Sequence, residues 1–316
     1  MSDKNNLKYA FWGTGPLAES CLYSLYKNNF LPEYIFTKPD AEVGRMKTLT
    51  APMIKTWAES KQIIVIQPSR LKPTTEDLDT NNPDHKIDGY NLLKTILSDM
   101  DVCIVASYGM IIPEELLNLP KHGFINLHPS DLPNFRGPSP IESQLINNYK
   151  ELPLSIMKLD AGMDSGDIII KNKLNIEDYD TAQSLELKAG SAGGELISNI
   201  LEDYINGNIK LQKQDNDKKT ICKFIKKEDG EMKLSVEELV NPELISEEKL
   251  LEIKNAWRAY YGWPGIFFFL KHSDKIMRFK ISSFNTKENS LEKCVERVIP
   301  EGKKEISFED FRRGYL

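Results

Sequence analysis

The chain has 316 residues, of which 40% are hydrophobic and 28% are charged. This length suits about two domains, and the composition provides a buried core and excludes wholesale disorder. No apolar run approaches the roughly 20 residues of a membrane span, and no long apolar segment typical of a secretory signal opens the chain. Four scattered cysteines exclude a disulfide scaffold, and four histidines without ligand spacing argue against a metal enzyme. We therefore expect a cytoplasmic protein without a metal.

The net charge of −6 is unevenly distributed along the sequence. Beyond residue 205, 22 Lys and Arg stand against 19 Asp and Glu, whereas the preceding part is acidic. This distribution favours a polyanionic partner for the C-terminal third, and an ordinary solvated surface explains the charge equally well.

Strand and helix signals alternate through the first 207 residues. Short apolar runs bounded by turns predict strands, and segments with helical apolar spacing predict helices between them. This order is typical of an α/β fold with an open, doubly wound, Rossmann-like sheet of parallel strands. The predicted strands are LKYAFWG, PEYIFTKP, IIVIQP, MDVCIVASYG, FINL, LSIMKLD and GDIIIKNKLNI. The predicted helices are PLAESCLYSLYKNN, APMIKTWAESK, YNLLKTILSDM, PIESQLINNY and the long segment from TAQSLELK to Gly207.

The character of the sequence changes after Gly207. A Lys-rich, turn-rich stretch leads to a predicted helix, EEKLLEIKNAWRAY, and then to a predicted hairpin with a polar turn at His272–Lys275. We therefore predict two domains, a catalytic domain at 1–207 and, at 208–316, a linker followed by a small β-rich domain.

A glycine-rich turn follows the first predicted strand. Gly13 and Gly15 occupy two positions of the dinucleotide-binding fingerprint, and Ala18 takes the third glycine position. Pro16 removes a backbone N–H that could bind phosphate. A tight strand-to-helix turn is the favoured interpretation, with dinucleotide binding as the alternative.

The segment FINLHPSDLPNFRGPSP carries the strongest chemical signal. Asn126 and His128 are two residues apart on a predicted strand, so their side chains point to the same face. The stiff loop that follows lies at the strand end where open α/β sheets place their sites. Downstream, the segment LDAGMDSGDII places Asp160, Asp164 and Asp167 around two glycines. An Asn, a His and an Asp that converge could stabilise an oxyanion and move protons, as acyl-group transfer without a covalent intermediate requires.

Two other interpretations stay open for these residues. A single histidine is more often structural than catalytic. Ser130 could act as a nucleophile, but the chain lacks the G-x-S-x-G turn that usually presents one.

The combination of INLHPSDLP with a later Asp resembles the folate-dependent formyltransferase family. The resemblance implies that Asn126, His128 and Asp164 are catalytic and that 10-formyltetrahydrofolate is the co-substrate. Asp131 departs from the family, which usually has Leu there. The implied folate contacts are Tyr108, Gly109, Met110, Ile111, Ile112, Ser130, Leu132 and Pro133. For the five residues from Tyr108 to Ile112, sheet packing is the alternative interpretation.

Within the family, the resemblance is closest to members that formylate methionyl-tRNA, and it covers nearly the whole chain. TKPDAEVGRMKTLTAPMIKTWAE resembles the loop that reaches the methionyl acceptor end, and NFRGPSPIESQLINN resembles a helix start beside the active-site loop. NAWRAYYGWPGIFF and EGKKEISFEDFRRGYL resemble parts of an OB-like tRNA-binding domain, shortened here between Phe284 and Gly302. The implied tRNA contacts are Arg45, Lys47 and Arg136, to which the Lys-rich stretch adds Lys218, Lys219 and Lys223 as phosphate contacts or solvated residues.

The resemblance therefore implies formyl transfer from 10-formyltetrahydrofolate to the amino group of methionyl initiator tRNA, by a monomer. One alternative is a sugar-nucleotide N-formyltransferase that acylates a 4-amino sugar with the same folate. Another is a tRNA-binding module without activity. The loop at residues 37–55 and the C-terminal domain favour tRNA, and the intact trio favours an enzyme.

Overall fold

The computed structural model describes residues 7–44, 46–72, 89–272 and 275–316. The chain forms two compact units. The first comprises Met1–Pro138, Pro153–Leu174 and Glu186–Ile221, and the second comprises Ser139–Leu152, Asn175–Leu185 and Cys222–Leu316. This division differs from the predicted boundary at residue 207, because the stretch up to Ile221 packs with the first unit and two earlier segments pack with the second.

A seven-stranded sheet in the order β5-β2-β1-β6-β7-β8-β9 confirms the predicted doubly wound α/β fold. The first five strands of that order are parallel, whereas β8 is antiparallel to β7, so the sheet is mixed rather than all-parallel. The strands are β1 (Tyr9–Gly13), β2 (Tyr34–Phe36), β5 (Ile64–Ile66), β6 (Val102–Ala106), β7 (Phe124–His128), β8 (Glu151–Lys158) and β9 (Ile168–Asn175). The helices up to residue 205 are α1 (Pro16–Lys27), α2 (Met53–Ser60), α3 (Gly89–Ser98), α4 (Glu114–Leu117), α5 (Pro140–Ile146) and α6 (Ala182–Ile205), of which α5 belongs to the second unit.

Continuous apolar runs place the central strands in the interior. β1, β6 and β7 are buried along their whole length, as expected for parallel strands covered on both faces. Trp12 on β1 stacks on Phe36 with ring centroids 4.0 Å apart and meets Tyr108 edge-on at 5.1 Å. These contacts fix the carboxyl ends of the central strands, where the loops after β1 and β6 begin.

The turn between β1 and α1 explains its two glycines without a bound phosphate. A Cβ on Gly13 would lie 2.5 Å from the Cβ of Ala18 and 2.7 Å from the carbonyl oxygen of Ala106. Gly15 has a φ of +86°, a left-handed conformation that favours glycine. This geometry agrees with the tight strand-to-helix turn that the sequence favoured.

A hairpin that the sequence analysis treated as a loop precedes α2. Its strands are β3 (Ala41–Val43) and β4 (Thr48–Thr50), which are antiparallel and pair Ala41 with Thr50. All six strand residues are exposed. Three-residue strands are too short to show an alternating pattern, so the sequence carried no clear signal for them.

The second unit contains a four-stranded antiparallel sheet in the order β10-β11-β12-β13. The predicted hairpin and closing helix are confirmed, although the hairpin turn at 273–274 lies outside the described residues. In the described part this sheet has four strands, whereas an OB fold has five. The shortening between Phe284 and Gly302 stays a prediction. The elements are α7 (Val236–Val240), α8 (Glu247–Ala259), β10 (Phe267–His272), β11 (Lys275–Phe284), α9 (Leu291–Cys294), β12 (Val295–Pro300), β13 (Ile306–Ser307) and α10 (Phe308–Tyr315).

Aromatic side chains form the core of this sheet. Phe268 and Phe279 stack with centroids 5.6 Å apart, and Phe311 of α10 packs edge-on against Phe279 at 5.0 Å. All three are fully buried. Because α10 lies against the sheet through Phe311, it covers a face that water would otherwise reach. Among the helices of the described residues, none is long and apolar enough to cross a membrane.

Candidate active site

The site is built around the carboxyl end of β7, which lies between β6 and β8. Asn126 and His128 lie on this strand with 9% and 5% of their surfaces exposed. Their separation by two residues places them on one face. The strand pairs Asn126 with Val105 and Met157, so neighbouring strands hold its backbone from both sides.

The ring orientation of His128 is set by the loop that follows. Its Nε2 lies 2.9 Å from the carbonyl oxygen of Phe135. A carbonyl can only accept, so Nε2 carries the proton of this bond. The other nitrogen, Nδ1, lies 3.8 Å from Oδ2 of Asp164. That distance exceeds a hydrogen bond, so Nδ1 is the ring nitrogen available for a third group beside a carboxylate.

Asp164 is held in an uncommon conformation. Its φ is +49°, a left-handed value that Asp tolerates better than most residues. The backbone N–H of Gly137 donates to its Oδ2 at 2.8 Å. The structure thus brings His128 and Asp164 within 3.8 Å of each other, and Asn126 lies two residues before His128 on the same strand.

Arg136 does not occupy the position predicted for a tRNA contact. Its guanidinium is buried, and it donates to Oε1 of Gln214 at 3.0 and 2.7 Å and to Oδ1 of Asn216 at 2.9 Å. A buried side chain with these bonds is not presented to a macromolecule, so that prediction is corrected here. The sequence analysis missed Gln214, which has no motif around it.

The segment around Gln214 runs along the loop at residues 129–139, which follows His128 and which we call the catalytic loop. Gln212 and Ile168 exchange two backbone hydrogen bonds at 2.8 and 2.9 Å. Thr220 accepts from the N–H of Phe135 through its hydroxyl at 2.8 Å, and its own carbonyl accepts from the N–H of Arg136 at 3.0 Å. The stretch predicted to be a linker is therefore part of the structure that supports His128.

The loop after β6 contains the first group of predicted folate residues. Tyr108 and Ile112 belong to the buried core, as the packing alternative expected, whereas Ile111 is 90% exposed. Met110 is partly buried against the same core, and Gly109 has a φ of +71°. The Tyr108 hydroxyl is buried and has no hydrogen-bond partner within the described part of the chain. An orphaned hydroxyl and an exposed apolar side chain on one loop fit a ligand with polar and flat apolar parts.

The second group of predicted folate residues has local roles. The Ser130 hydroxyl donates to the carbonyl of Asn134 at 2.7 Å, and Leu132 is fully buried with Met157 and Ile168. These bonds explain the two residues without a ligand, and the pairing of Ser130 gives no support to a nucleophile. Pro133 contributes a carbonyl that accepts from the N–H of Thr220 at 3.3 Å.

The unusual Asp131 has a partner that accommodates it. Lys171 donates from Nζ to Oδ1 of Asp131 and to the carbonyl of Leu132 at 2.5 and 2.6 Å. The loop therefore accepts an acidic residue where the family usually has Leu.

The β3–β4 hairpin presents cationic and apolar side chains. Lys47 lies in its turn with a φ of +50° and forms an exposed ion pair with Glu42 at 3.6 Å. Met46 and Leu49 are 91% and 68% exposed. Arg45, the predicted tRNA contact in this turn, lies outside the described residues.

Asp40 fixes the base of this hairpin. It accepts from Gln67 at 2.7 Å and from Lys55 at 3.0 Å, and these contacts lower the pKa of its carboxyl. Asp40 is therefore explained by its structural role.

The three predicted lysines of the basic stretch are all exposed. Lys218 pairs with Asp215 at 3.2 Å, and Asp215 also accepts from the N–H of Asp217 at 3.1 Å. Lys218 and Lys219 belong to the first compact unit and Lys223 to the second. In the described ranges, no group of three or more His, Cys, Asp or Glu side chains is arranged to hold a metal ion.

Sequence comparison assigns the chain to a family. The family described as formyl transferase matches residues 10–201, which contain β7 and Asp164. The sequence is 32% identical to the methionyl-tRNA formyltransferase of Caldicellulosiruptor saccharolyticus, over 96% of both chains. The chain belongs to the methionyl-tRNA formyltransferase family. Its resemblance to the folate-dependent formyltransferases, expected from Asn126, His128 and Asp164, is thereby confirmed.

Solved structures of formyltransferases share the fold of this family member. Methionyl-tRNA formyltransferase from Clostridium thermocellum matches with a TM-score of 0.52 and 20% identity, over 95% of this chain and 99% of that one. The N-formyltransferase from Helicobacter canadensis, in complex with folinic acid and dTDP-3-aminofucose, matches with a TM-score of 0.56 and 20% identity. That alignment covers 95% of this chain and 98% of the other. At these identities the likeness concerns the fold alone.

Proposed function

We propose that this chain transfers the formyl group of 10-formyltetrahydrofolate to the amino group of methionyl-tRNA, as a monomer in the cytoplasm. The relative from C. saccharolyticus carries the name of this activity and aligns along both units. The H. canadensis neighbour was solved with folinic acid, a formylated folate. The observation that carries the proposal is the oriented His128, with Nδ1 directed to the side where Asp164 lies.

In this mechanism the neutral amine attacks the formyl carbon directly. A new carbon–nitrogen bond forms, and the carbonyl oxygen becomes an oxyanion. The side-chain amide of Asn126 and the protonated Nδ1 of His128 donate hydrogen bonds to that oxyanion. Asp164, 3.8 Å from Nδ1, balances the positive charge of the imidazolium. These three residues are the catalytic residues of the proposal.

Collapse of the tetrahedral intermediate completes the transfer. The bond between the formyl carbon and folate N10 breaks, and the proton lost by the amine ends on N10. We assign this proton movement to a water molecule beside Asp164, because its Oδ1 is not the oxygen that accepts from Gly137. The products are the formylated amine and tetrahydrofolate, so every atom and charge is accounted for.

We infer that the folate binds beside the loop after β6. Backbone groups from Gly109 to Ile112 would bind the polar edge of the pterin, and the exposed Ile111 would pack against its face. The buried Tyr108 hydroxyl is the polar side-chain atom of this loop that a ligand could engage. Ser130, Leu132 and Pro133 would contribute through the shape of the loop after β7, which the local contacts described above hold.

Three regions support the proposal of a nucleic-acid acceptor: the β3–β4 hairpin, the basic stretch and one face of the sheet in the second unit. The β3–β4 hairpin offers Lys47 beside the predicted Arg45, and Lys218, Lys219 and Lys223 offer positive charge for phosphates. On the second unit, Phe269 pairs across strands with Arg278, and the Arg278 guanidinium lies 5.5 Å from the ring centroid of Phe267. Phe269 is 41% exposed whereas Phe267 is buried, so Phe269 and Arg278 are the side chains of this face that could stack on bases and bind phosphates.

The direct test is to incubate the protein with 10-formyltetrahydrofolate and charged initiator tRNA. Acid-urea gels would report formylation, and absorbance would report tetrahydrofolate. The matched reaction replaces the tRNA by a dTDP-4-amino sugar. We expect formyl-methionyl-tRNA in the first reaction only. Formylation of the sugar without formylation of the tRNA would replace the proposed acceptor.

A further inference from the structure

The side chain of Gln214 joins two segments of the active site. Its Oε1 accepts from Nε and Nη2 of Arg136 at 3.0 and 2.7 Å. Its Nε2 donates to the carbonyl oxygens of Asp164 and Gly166 at 2.9 and 2.7 Å. Arginine can only donate and backbone carbonyls can only accept, so these partners fix which end of the amide is oxygen. The amide therefore uses both of its N–H groups and both lone pairs of its oxygen.

The two joined segments hold His128 from opposite sides. Residues 135–137 supply the Phe135 carbonyl that orients Nε2 and the Gly137 N–H that binds Oδ2 of Asp164. Residues 164–166 supply the carboxylate itself. A displacement of either segment changes the 3.8 Å separation between Nδ1 and Oδ2. Gln214 is bonded to both, so it restrains that displacement.

We propose that Gln214 is a positioning residue for formyl transfer, which sets the separation of His128 and Asp164 without contacting the reacting atoms. This inference rests on the catalytic roles proposed for those two residues. A displacement of about 1 Å in a catalytic group can lower a rate by about 100-fold. The left-handed backbone of Asp164 makes such a restraint necessary, because that conformation is stable only when its surroundings hold it.

The substitution Gln214→Glu isolates this role. Glutamate keeps the size of glutamine and an acceptor for Arg136, but it places an oxygen against the two carbonyls that Nε2 now binds. The matched control is Gln183→Glu, which introduces the same charge at an exposed position of α6, outside the segment that supports His128. We expect Gln214→Glu to lower kcat by about 10- to 100-fold and to leave KM for the formyl donor within about twofold. The control should leave both unchanged.

A residue that only stabilised the fold would give another pattern. Gln214→Glu would then lower the melting temperature and the yield, while kcat per correctly folded active site stayed within twofold of wild type. That result would overturn the inference. Kinetics are therefore normalised to the concentration of sites that bind 5-formyltetrahydrofolate, a formylated folate that can be titrated calorimetrically.

A second measurement does not depend on the acceptor. Nitrogen-15 spectra of the histidine rings, with His128 assigned by its loss in His128→Gln, report which ring nitrogen is protonated. We expect protonated Nε2 in wild type and altered His128 signals in Gln214→Glu, with the signals of His122 and His272 unchanged. Unaltered His128 signals would overturn the positioning role. Altered signals in a protein that formylates no tRNA would support positioning and overturn the proposed acceptor instead.

Discussion

The loop after β7 and the β3–β4 hairpin belong to the same compact unit but differ in how firmly they are held and how exposed they are. The loop is held by side chains and backbone groups from three separate segments, and its arginine is buried. The hairpin contacts the sheet mainly at its base, where Asp40 binds Lys55 and Gln67, and its tip is exposed. Chemistry requires fixed distances, whereas recognition of a large acceptor requires accessible groups. Substitutions in the loop should therefore change turnover or stability, and substitutions in the hairpin should change acceptor affinity.

The largest effect is expected from the trio. Asn126→Ala, His128→Ala and Asp164→Ala should each lower kcat by about 10²–10⁴-fold, because each removes a donor, a proton carrier or its counter-charge. Double substitutions should lose less than the product of the single losses, since the three act as a unit. Single-turnover formylation measures this. His272→Ala is the control and should retain wild-type turnover. A nearly normal rate in His128→Ala would refute the mechanism.

Arg136→Ala tests the loop after β7, the buried one of the two regions. It removes the donors that satisfy Gln214 and Asn216, so it should lower the free energy of unfolding by about 1–3 kcal/mol. Urea unfolding followed by fluorescence gives the value. Arg313→Ala is the control, because Arg313 forms only exposed ion pairs and should cost less than about 1 kcal/mol. An unchanged stability together with a raised KM for methionyl-tRNA would restore the surface role that the sequence predicted for Arg136.

Substitutions at the hairpin tip should weaken binding of the acceptor and leave the stability of the protein unchanged. Arg45→Ala combined with Lys47→Ala should raise KM for methionyl-tRNA about tenfold, which corresponds to about 1.4 kcal/mol of lost binding. The melting temperature and the affinity for 5-formyltetrahydrofolate should stay at wild-type values, since the ion pair of Lys47 with Glu42 is exposed. Lys61→Ala on the same unit is the control. A parallel loss of folate affinity would place the hairpin in the catalytic structure.

The smallest effect concerns the three lysines of the basic stretch. If Lys218, Lys219 and Lys223 contact phosphates, replacing all three by Ala should reduce the slope of log K against log salt by up to about one unit for each lysine. Sequence discrimination should change little, because phosphate contacts position a nucleic acid without specifying it. Filter binding over a salt series measures the slope. Lys27, Lys61 and Lys72 replaced together serve as the control. Equal slopes for the two variants would show that the basic stretch is only solvated.

Local patterns in the sequence were sufficient for the strand that carries two of the three proposed catalytic residues. The apolar run before Asn126 predicted a buried strand, and the spacing of two placed Asn126 and His128 on one face. The position of Asp164 came from resemblance, since nothing in the spacing alone brings it to His128. The confirmed hairpin and closing helix of the second unit likewise had apolar or amphipathic patterns long enough to recognise.

The groups that orient His128 and Asp164 could not be recognised from any local pattern in the sequence. The Phe135 carbonyl and the Gly137 N–H are backbone atoms, which every residue has. Gln214 is 78 residues from Arg136 along the chain, and it lies among lysines that drew attention to charge. Such long-range hydrogen bonds arise from tertiary packing, and the sequence therefore could not distinguish a linker from a support. The same limit explains the error about Arg136, whose burial depends on partners far away in sequence.

The pairing of residues 212–221 with the catalytic loop has a consequence for exchanging modules between family members. A chain cut after the long helix α6 would lose Gln214 and Thr220, and with them part of the support for His128. Such a fragment would confound loss of the second unit with damage to the first. A chimera that keeps its own residues through Ile221 and takes a foreign sequence from Cys222 onward would leave the hydrogen bonds of the catalytic loop intact. The useful junction for recombination therefore lies within the basic stretch itself.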